Sequence, residues 1–293
     1  MTIRRAINSA FRRLIKRLSG YGLRQYVPLM NFFYKKLNKF LSPTKVIVQG
    51  HIMYLDDGDS LGLAVNGEYE AAETRIIQEQ ISAGQVVLDI GANIGYFTLN
   101  FARLVGERGK VYAFEPDPVS YEILKRNIDS NGYRNVILES AAVSNVSAQG
   151  FLQRDKYNNL DHQLIYESNR SKDITVSAIR LDDYFGLIAL QVDFIKMDIQ
   201  GAELLAFEGM HNILLRSKHV KLLTEFWPIG LEHFSGLNSA AHYLDELDRF
   251  GFDIFEIDRT QGVLFQRSFK ELLEKYPPAS RKYTNLLCVR RVE

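Results

Sequence analysis

The 293-residue chain predicts a doubly wound α/β fold, with a mostly parallel sheet and a basic helical N-terminal extension. Three observations carry that expectation. Val86–Ile90 is a short apolar, β-branched run of the kind buried on both faces of a sheet. It stops at Gly91, and Phe97, Phe101 and Leu104 then fall on one helical face, so strand, glycine turn and helix form one parallel-sheet unit. Similar short runs recur at Lys110–Phe114, Val136–Leu138, Phe194–Met197 and Val220–Glu225. Hydrophobic content of 46% and charge of 24% suit a globular chain able to bury such a sheet.

The extension comes first. Ile3, Ile7, Phe11, Leu14 and Leu18 belong to one continuous apolar stripe, and Arg4, Arg5, Arg12, Arg13, Lys16 and Arg17 cover much of the rest. After Gly20–Gly22 a second such stretch carries Tyr26, Met30, Phe33 and Leu37. Residues 1–55 hold eleven Lys/Arg and no Asp or Glu, leaving 25 basic against 35 acidic residues in the remainder, a balance of −10. A basic amphipathic segment of this kind suits an anionic membrane surface, expected through residues 1–41. A helix pair docked on the body would show the same stripe, and both readings stand. Gln25–Tyr34 holds a proline and two amides, unlike a signal peptide, and no apolar run is long enough to span a bilayer. The single Cys288 rules out an internal disulfide and fits a reducing compartment, so the expected location is cytoplasmic, peripheral at the inner membrane face. The acidic body gives no reason to expect a nucleic-acid partner. Expected boundaries are 1–45 for the extension and 46–293 for the domain, with 46–82 leading in and 83–293 forming the sheet core.

Along the body, Lys45–Leu55 reads as strand and Asp56–Asp59 as turn. Tyr69–Ile81 reads as a helix with Glu70 and Glu73 in its first turn, where the helix dipole favours acids. Pro116 stops the second core strand, and Val119–Asn131 is the next helix. The stretch Asp155–Ser171, rich in Asn, Asp, Ser and Arg, is the least regular and the place for a substrate loop. Ser239–Phe250 is a helix and Asp253–Ile257 a strand; Leu286–Arg290 is expected as an antiparallel edge strand.

The turn after Val86–Ile90 decides the ligand. A dinucleotide fingerprint needs glycines at the first, third and sixth turn positions, but those hold Gly91, Asn93 and Tyr96. The Gly-Lys-Ser/Thr ending of a phosphate-cradling loop is also absent. A nucleoside without pyrophosphate remains, and Asp89 beside the turn suits a cationic, amino-acid-bearing one. Glu115 lies 24 residues past Gly91 at the end of the second core strand, placed to accept both ribose hydroxyls. A bare strand–helix turn without ligand is the alternative.

Asp89-Ile-Gly91-Ala-Asn93-Ile-Gly95 resembles motif I of Rossmann-like S-adenosylmethionine-dependent methyltransferases, in the form typical of the FkbM family. Phe114-Glu115-Pro116-Asp117 and the Leu-Asp-Asp of Ile179–Phe185 resemble that family too. The resemblance implies a class I methyltransferase sheet, mostly parallel with an antiparallel last strand, and S-adenosyl-L-methionine as cofactor. It implies cofactor contacts from Asp89, Gly91, Asn93, Gly95, Glu115 and Asp117, with Ser140 and Ala141 beside the adenine. Asp198-Ile-Gln200-Gly-Ala-Glu203 resembles the family's Asp-x-Glu-Gly-x-Glu, with Gln200 departing from it. An amide there cannot act as an anionic base.

The ionisable candidates for catalysis are Asp198, Glu203 and His162, the last beside Asp161 in the irregular stretch. Structural roles compete: Asp198 as an N-cap, Glu203 as a first-turn acid, His162 as a solvated loop residue. Trp227 after the fifth strand would wall a substrate pocket or sit in the core. No His/Cys/carboxylate cluster has metal-ligand spacing, so no metal is assigned. The expected function is methylation of a sugar, glycan or secondary-metabolite hydroxyl, with a small-molecule or glycan acceptor. A nucleotide-dependent oxidoreductase and a non-catalytic membrane-surface or partner-binding module are the other readings.

Overall fold

The computed structural model describes residues 43–154, 162–165, 173–186 and 188–291. The amphipathic stretches of residues 1–41 lie outside the described residues. The chain opens with a hairpin, β1 (Lys45–Val48) and β2 (His51–Tyr54), turned through Gln49 and Gly50, both at positive φ. Two short helices follow, α1 (Leu63–Asn66) and α2 (Ala71–Gln80). The core then alternates: β3 (Val86–Ile90), α3 (Tyr96–Val105), β4 (Lys110–Phe114), α4 (Pro118–Ser130), β5 (Val136–Glu139). Asn127 of α4 and Asn131 at its C-cap accept from the N–H groups of Tyr54 and Ile52, capping the free edge of the hairpin.

A second small sheet comes next, built from β6 (Ala141–Val143), β7 (Ala148–Arg154), β8 (His162–Ile165) and β9 (Ile174–Ile179), in the order β6-β9-β7-β8. The stretch expected to be irregular is therefore partly strand. The strand within it is β8, paired antiparallel with β7, while β9 beyond it alternates, with Val176 and Ala178 buried and Thr175 and Ser177 exposed. The remainder of the chain runs α5 (Leu181–Phe185), β10 (Phe194–Met197), α6 (Glu203–Glu208), α7 (His211–Arg216), β11 (Lys221–Phe226), α8 (Pro228–Ser235), α9 (Ser239–Arg249), β12 (Phe252–Ile257), β13 (Leu264–Gln266), α10 (Phe269–Lys275) and β14 (Thr284–Arg290).

The main sheet has the order β13-β12-β14-β11-β10-β3-β4-β5. Strands β5, β4, β3, β10 and β11 are parallel, and β14 runs antiparallel to both β11 and β12. The last strand is thus antiparallel as expected, but it is not an edge. Its residues Leu286, Leu287 and Cys288 are buried on both faces, and the exposed edge falls to β13. The order reverses between β3 and β10, so the crevice opens between their carboxyl ends. Alternation splits the core: Leu88, Ile90, Ile195, Met197 and Leu222 pack under α5, α6, α7 and α9. Val87, Phe194 and Leu223 pack with α2, α3 and α4 on the other face. Asp89, Lys196 and Glu225 share this second face by strand parity, and Asp89 and Lys196 are direct neighbours in the ladder.

Candidate functional site

Two cavities open at the carboxyl ends of β3 and β10, one of about 360 Å³ and one of about 90 Å³. Gly91, Asn93, Asp198 and Gln200 line both, so the cavities meet at the strand-order reversal. Gly91 has φ +84, and a Cβ there would lie 2.1 Å from the Asp198 carbonyl oxygen. Its glycine is needed for the two turns to touch. Asn93 and Gln200 are non-glycine residues at φ 50 and 58, a sparsely populated conformation that clusters at functional sites.

In the smaller cavity Glu115 is 7% exposed. It accepts from the backbone N–H of Asn93 and of Asp117, each at 2.8 Å, one on each carboxylate oxygen. Burial pushes its carboxyl up to about 7, against those two hydrogen bonds. Ala141, Ala142, Val143 and Leu152 give this cavity a small apolar wall. A fixed carboxylate with lone pairs to spare, facing an apolar slot, fits the ribose and base of a nucleoside.

The larger cavity holds charge. Lys196, its side chain 6% exposed, reaches Asp198 Oδ2 at 3.2 Å and lies 4.7 Å from the Phe97 ring centroid. Gln200 donates to Asp198 Oδ1 at 3.1 Å. Burial works against the Lys196 charge, but Asp198, Asp89 and Glu70 together hold its pKa above the ordinary lysine value. Glu70 and Glu225 face the same space, with Arg259, Arg281 and Trp227. Glu70 is not a first-turn acid: it sits at the N-cap of α2 at φ 43, with no capping bond from its side chain. Burial and then Asp198 raise its pKa to about 7, against Lys196 and Arg259. Although these carboxylates converge, no group of three His, Cys, Asp or Glu among the described residues is arranged to hold a metal ion.

The other sequence candidates are distributed around this centre. Asp89 is fully buried beneath the turn rather than at its mouth. It accepts from Thr98 Oγ at 2.6 Å, and its Oδ1 has no hydrogen-bond partner. Gly95 begins α3 at φ +90, with a Cβ position 2.6 Å from Leu124 Cδ1, and lines neither cavity; it is a packing glycine. Asp117 caps α4 and receives the N–H groups of Val119 and Ser120. Ala141 lines the smaller cavity, whereas Ser140 is exposed outside it. Asp198 is not an N-cap, since Ala202 holds that place in α6 and the Asp198 carboxylate lines the cavities. Glu203 is fully buried, accepts from Ile199 N–H at 3.0 Å and lines neither cavity. His162 falls on β8, but its side chain and Asp161 lie outside the described residues.

A parallel sheet reversing at β3/β10, with an antiparallel strand inserted beside β11 and a glycine turn at the reversal, is the class I methyltransferase fold. The comparisons with known proteins make the family specific. A family model, the methyltransferase FkbM domain, matches residues 89–254, more than half of the chain. The chain belongs to that family, whose cofactor is S-adenosyl-L-methionine. Methyltransferase sdnD of Sordaria araneosa is 28% identical over 182 residues, covering 50% of this chain and 68% of that protein. A protein-L-isoaspartate O-methyltransferase of Methanococcoides burtonii is 39% identical over 57 residues, 20% of this chain and 28% of that one. Such short matches span less than a third of those relatives' length. Among solved structures, a SAM-dependent O-methyltransferase from Thermotoga maritima aligns with TM-score 0.41 and 13% identity, covering 77% of this chain and 67% of that one.

Proposed function

We propose that this protein transfers a methyl group from S-adenosyl-L-methionine to a hydroxyl of a sugar, glycan or secondary metabolite. The observation that carries the reading is the junction of the two cavities at Gly91, Asn93, Asp198 and Gln200. The nucleoside-type slot ends where the larger, polar cavity begins. Glu115 would hold the ribose, Ala141 and Leu152 the base, and the Gly91–Asn93 turn the centre of the molecule. Bound there, S-adenosyl-L-methionine supplies an electrophilic methyl group. The chain's own residues would orient the acceptor, exclude water and take up its proton, with positioning providing much of the rate.

The hydroxyl class rests on the lining of the larger cavity. Tyr69, Trp227 and Tyr283 offer aromatic faces, and Glu70, Glu225 and Arg259 offer polar groups between them. That mixture suits a polyhydroxylated acceptor, whose rings stack and whose hydroxyls hydrogen-bond. Residues 1–45 would form a separate basic extension able to meet an anionic membrane. Calorimetry with S-adenosyl-L-methionine against nicotinamide dinucleotides tests the cofactor. Radiolabelled methyl transfer to glycan, lipid and small-molecule fractions tests the acceptor. Nucleotide binding that favours the dinucleotide would overturn the reading.

A further inference from the structure

The proton of an acceptor hydroxyl needs a destination, and the geometry separates the carboxylates that could receive it. Asp198 has both oxygens engaged, Oδ2 by Lys196 at 3.2 Å and Oδ1 by Gln200 at 3.1 Å. With both oxygens committed to these partners, Asp198 is held in place rather than open to an acceptor's proton. Glu203 is fully buried, turned to the Ile199 N–H and outside both cavities. Glu70 lies 3.7 Å from Arg259, which also reaches Glu73 at 3.3 Å.

Glu225 differs from all three. It ends β11, two strands from β3, on the sheet face it shares with Asp89 and Lys196. It lines the larger cavity at 8% exposure. Its Oε2 is buried without a hydrogen-bond partner, a costly state that a ligand's donor would relieve. Within the reading given above, we infer that Glu225 is the base that accepts the acceptor's hydroxyl proton, and that Asp198, clamped by Lys196 and Gln200, positions the acceptor. The hydroxyl oxygen's pair forms the new bond to carbon, the carbon–sulfur pair stays on sulfur, and the hydroxyl proton passes to the Glu225 carboxylate. A thioether, a methyl ether and a protonated Glu225 result, and the proton leaves to solvent through the cavity.

The surroundings of Glu225 tune it for that task. Burial raises its pKa well above the ordinary glutamate value, and Asp198, Glu203 and Glu70 add to the rise, against Arg259. A base whose pKa lies nearer the operating pH transfers protons more effectively than an ordinary carboxylate.

The test uses Glu225→Gln and Asp198→Asn in the full chain. Calorimetry should give Glu225→Gln the wild-type affinity for S-adenosyl-L-methionine, and its melting temperature should not fall. With methyl hexosides as hydroxyl probes, its turnover should drop by roughly 10²–10⁴-fold and the acid limb of the pH–rate profile should vanish. Asp198→Asn should slow the reaction but keep that limb. Turnover of Glu225→Gln within a few-fold of wild type, or an acid limb lost in Asp198→Asn instead, overturns the inference. A wild-type protein that fails to bind the cofactor, or that transfers to no hydroxyl probe, counts against the functional reading instead. An independent titration needs no acceptor. In ¹³C-glutamate-labelled protein with S-adenosylhomocysteine, the resonance absent from Glu225→Gln should titrate well above about 4.5. Titration at that ordinary value sinks the inference whatever the probes show.

Discussion

Glu115 is set in place by the backbone before any ligand arrives, since the N–H groups of Asn93 and Asp117 fix both of its oxygens. Removing it in Glu115→Ala takes away charge-assisted bonds worth about 1.5–3 kcal/mol, so cofactor affinity should fall roughly 10–150-fold in a folded protein. Its pH dependence follows from a carboxyl raised to about 7. Below that pH the free protein carries the proton, and ribose hydroxyls prefer the ionised form. Affinity measured by calorimetry should therefore weaken by up to about tenfold per unit below pH 7, and level off above it. In stability the sign is opposite. The folded state holds its proton to higher pH than the unfolded chain, so Glu115, Glu70 and Glu203 each favour the fold at pH 4 and lose that contribution as pH rises through about 7. Gln200 gives a related test. Glu at this position would replace a donor to Asp198 Oδ1 with a second carboxylate. Gln200→Glu should melt like wild type near pH 4, where a shared proton restores the bond, and fall progressively below it as pH rises. An identical melting curve at pH 8 would show that position 200 only shapes the turn.

At the scale of elements, the interior strands were readable because continuous apolar runs announce burial on both faces: Val86–Ile90, Lys110–Phe114 and Phe194–Met197 all stand where expected. What a single run does not encode is which neighbours it takes. Leu286–Arg290 was expected at an edge and is sandwiched between β11 and β12, because pairing across 30 or more residues leaves no local trace. The site shows the same division. Gly91, Asn93, Glu115 and Asp198 were legible as a motif, whereas Glu70 and Glu225 enter the cavity through tertiary packing. Lys196 did leave a signal, a lone charge within the buried Phe194–Met197 strand. The two motif glycines also separate at this scale. Gly91→Ala drives a Cβ into the Asp198 backbone and should cost both stability and cofactor binding. Gly95→Ala meets only the end of the Leu124 side chain. It should cost about 1–3 kcal/mol, in part from its positive φ, with cofactor affinity within a few-fold of wild type. A double-mutant cycle in which Gly95→Ala costs less in the Leu124→Ala background than in wild type would assign the remainder to the α3–α4 contact.

At the scale of the whole molecule, charge is segregated along the chain. Residues 1–41 carry ten basic and no acidic residues ahead of an acidic body. Among the described residues no helix is long and apolar enough to cross a membrane. Each basic residue near an anionic bilayer adds about 1 kcal/mol, and the apolar stripe through Phe11 and Leu14 would add its own burial. Such binding must be steep in salt, because the Debye length shortens from about 30 Å at 0.01 M to about 8 Å at 0.15 M. Flotation with phosphatidylserine vesicles should recover the protein at low salt and release it as salt rises. Replacing Phe11 and Leu14 by Ser should abolish flotation while the melting temperature stays put. If the stripe packs on the body instead, the same substitutions lower the melting temperature, and flotation is negligible from the start. The two outcomes are exclusive, since one apolar face cannot lie in lipid and on protein at once.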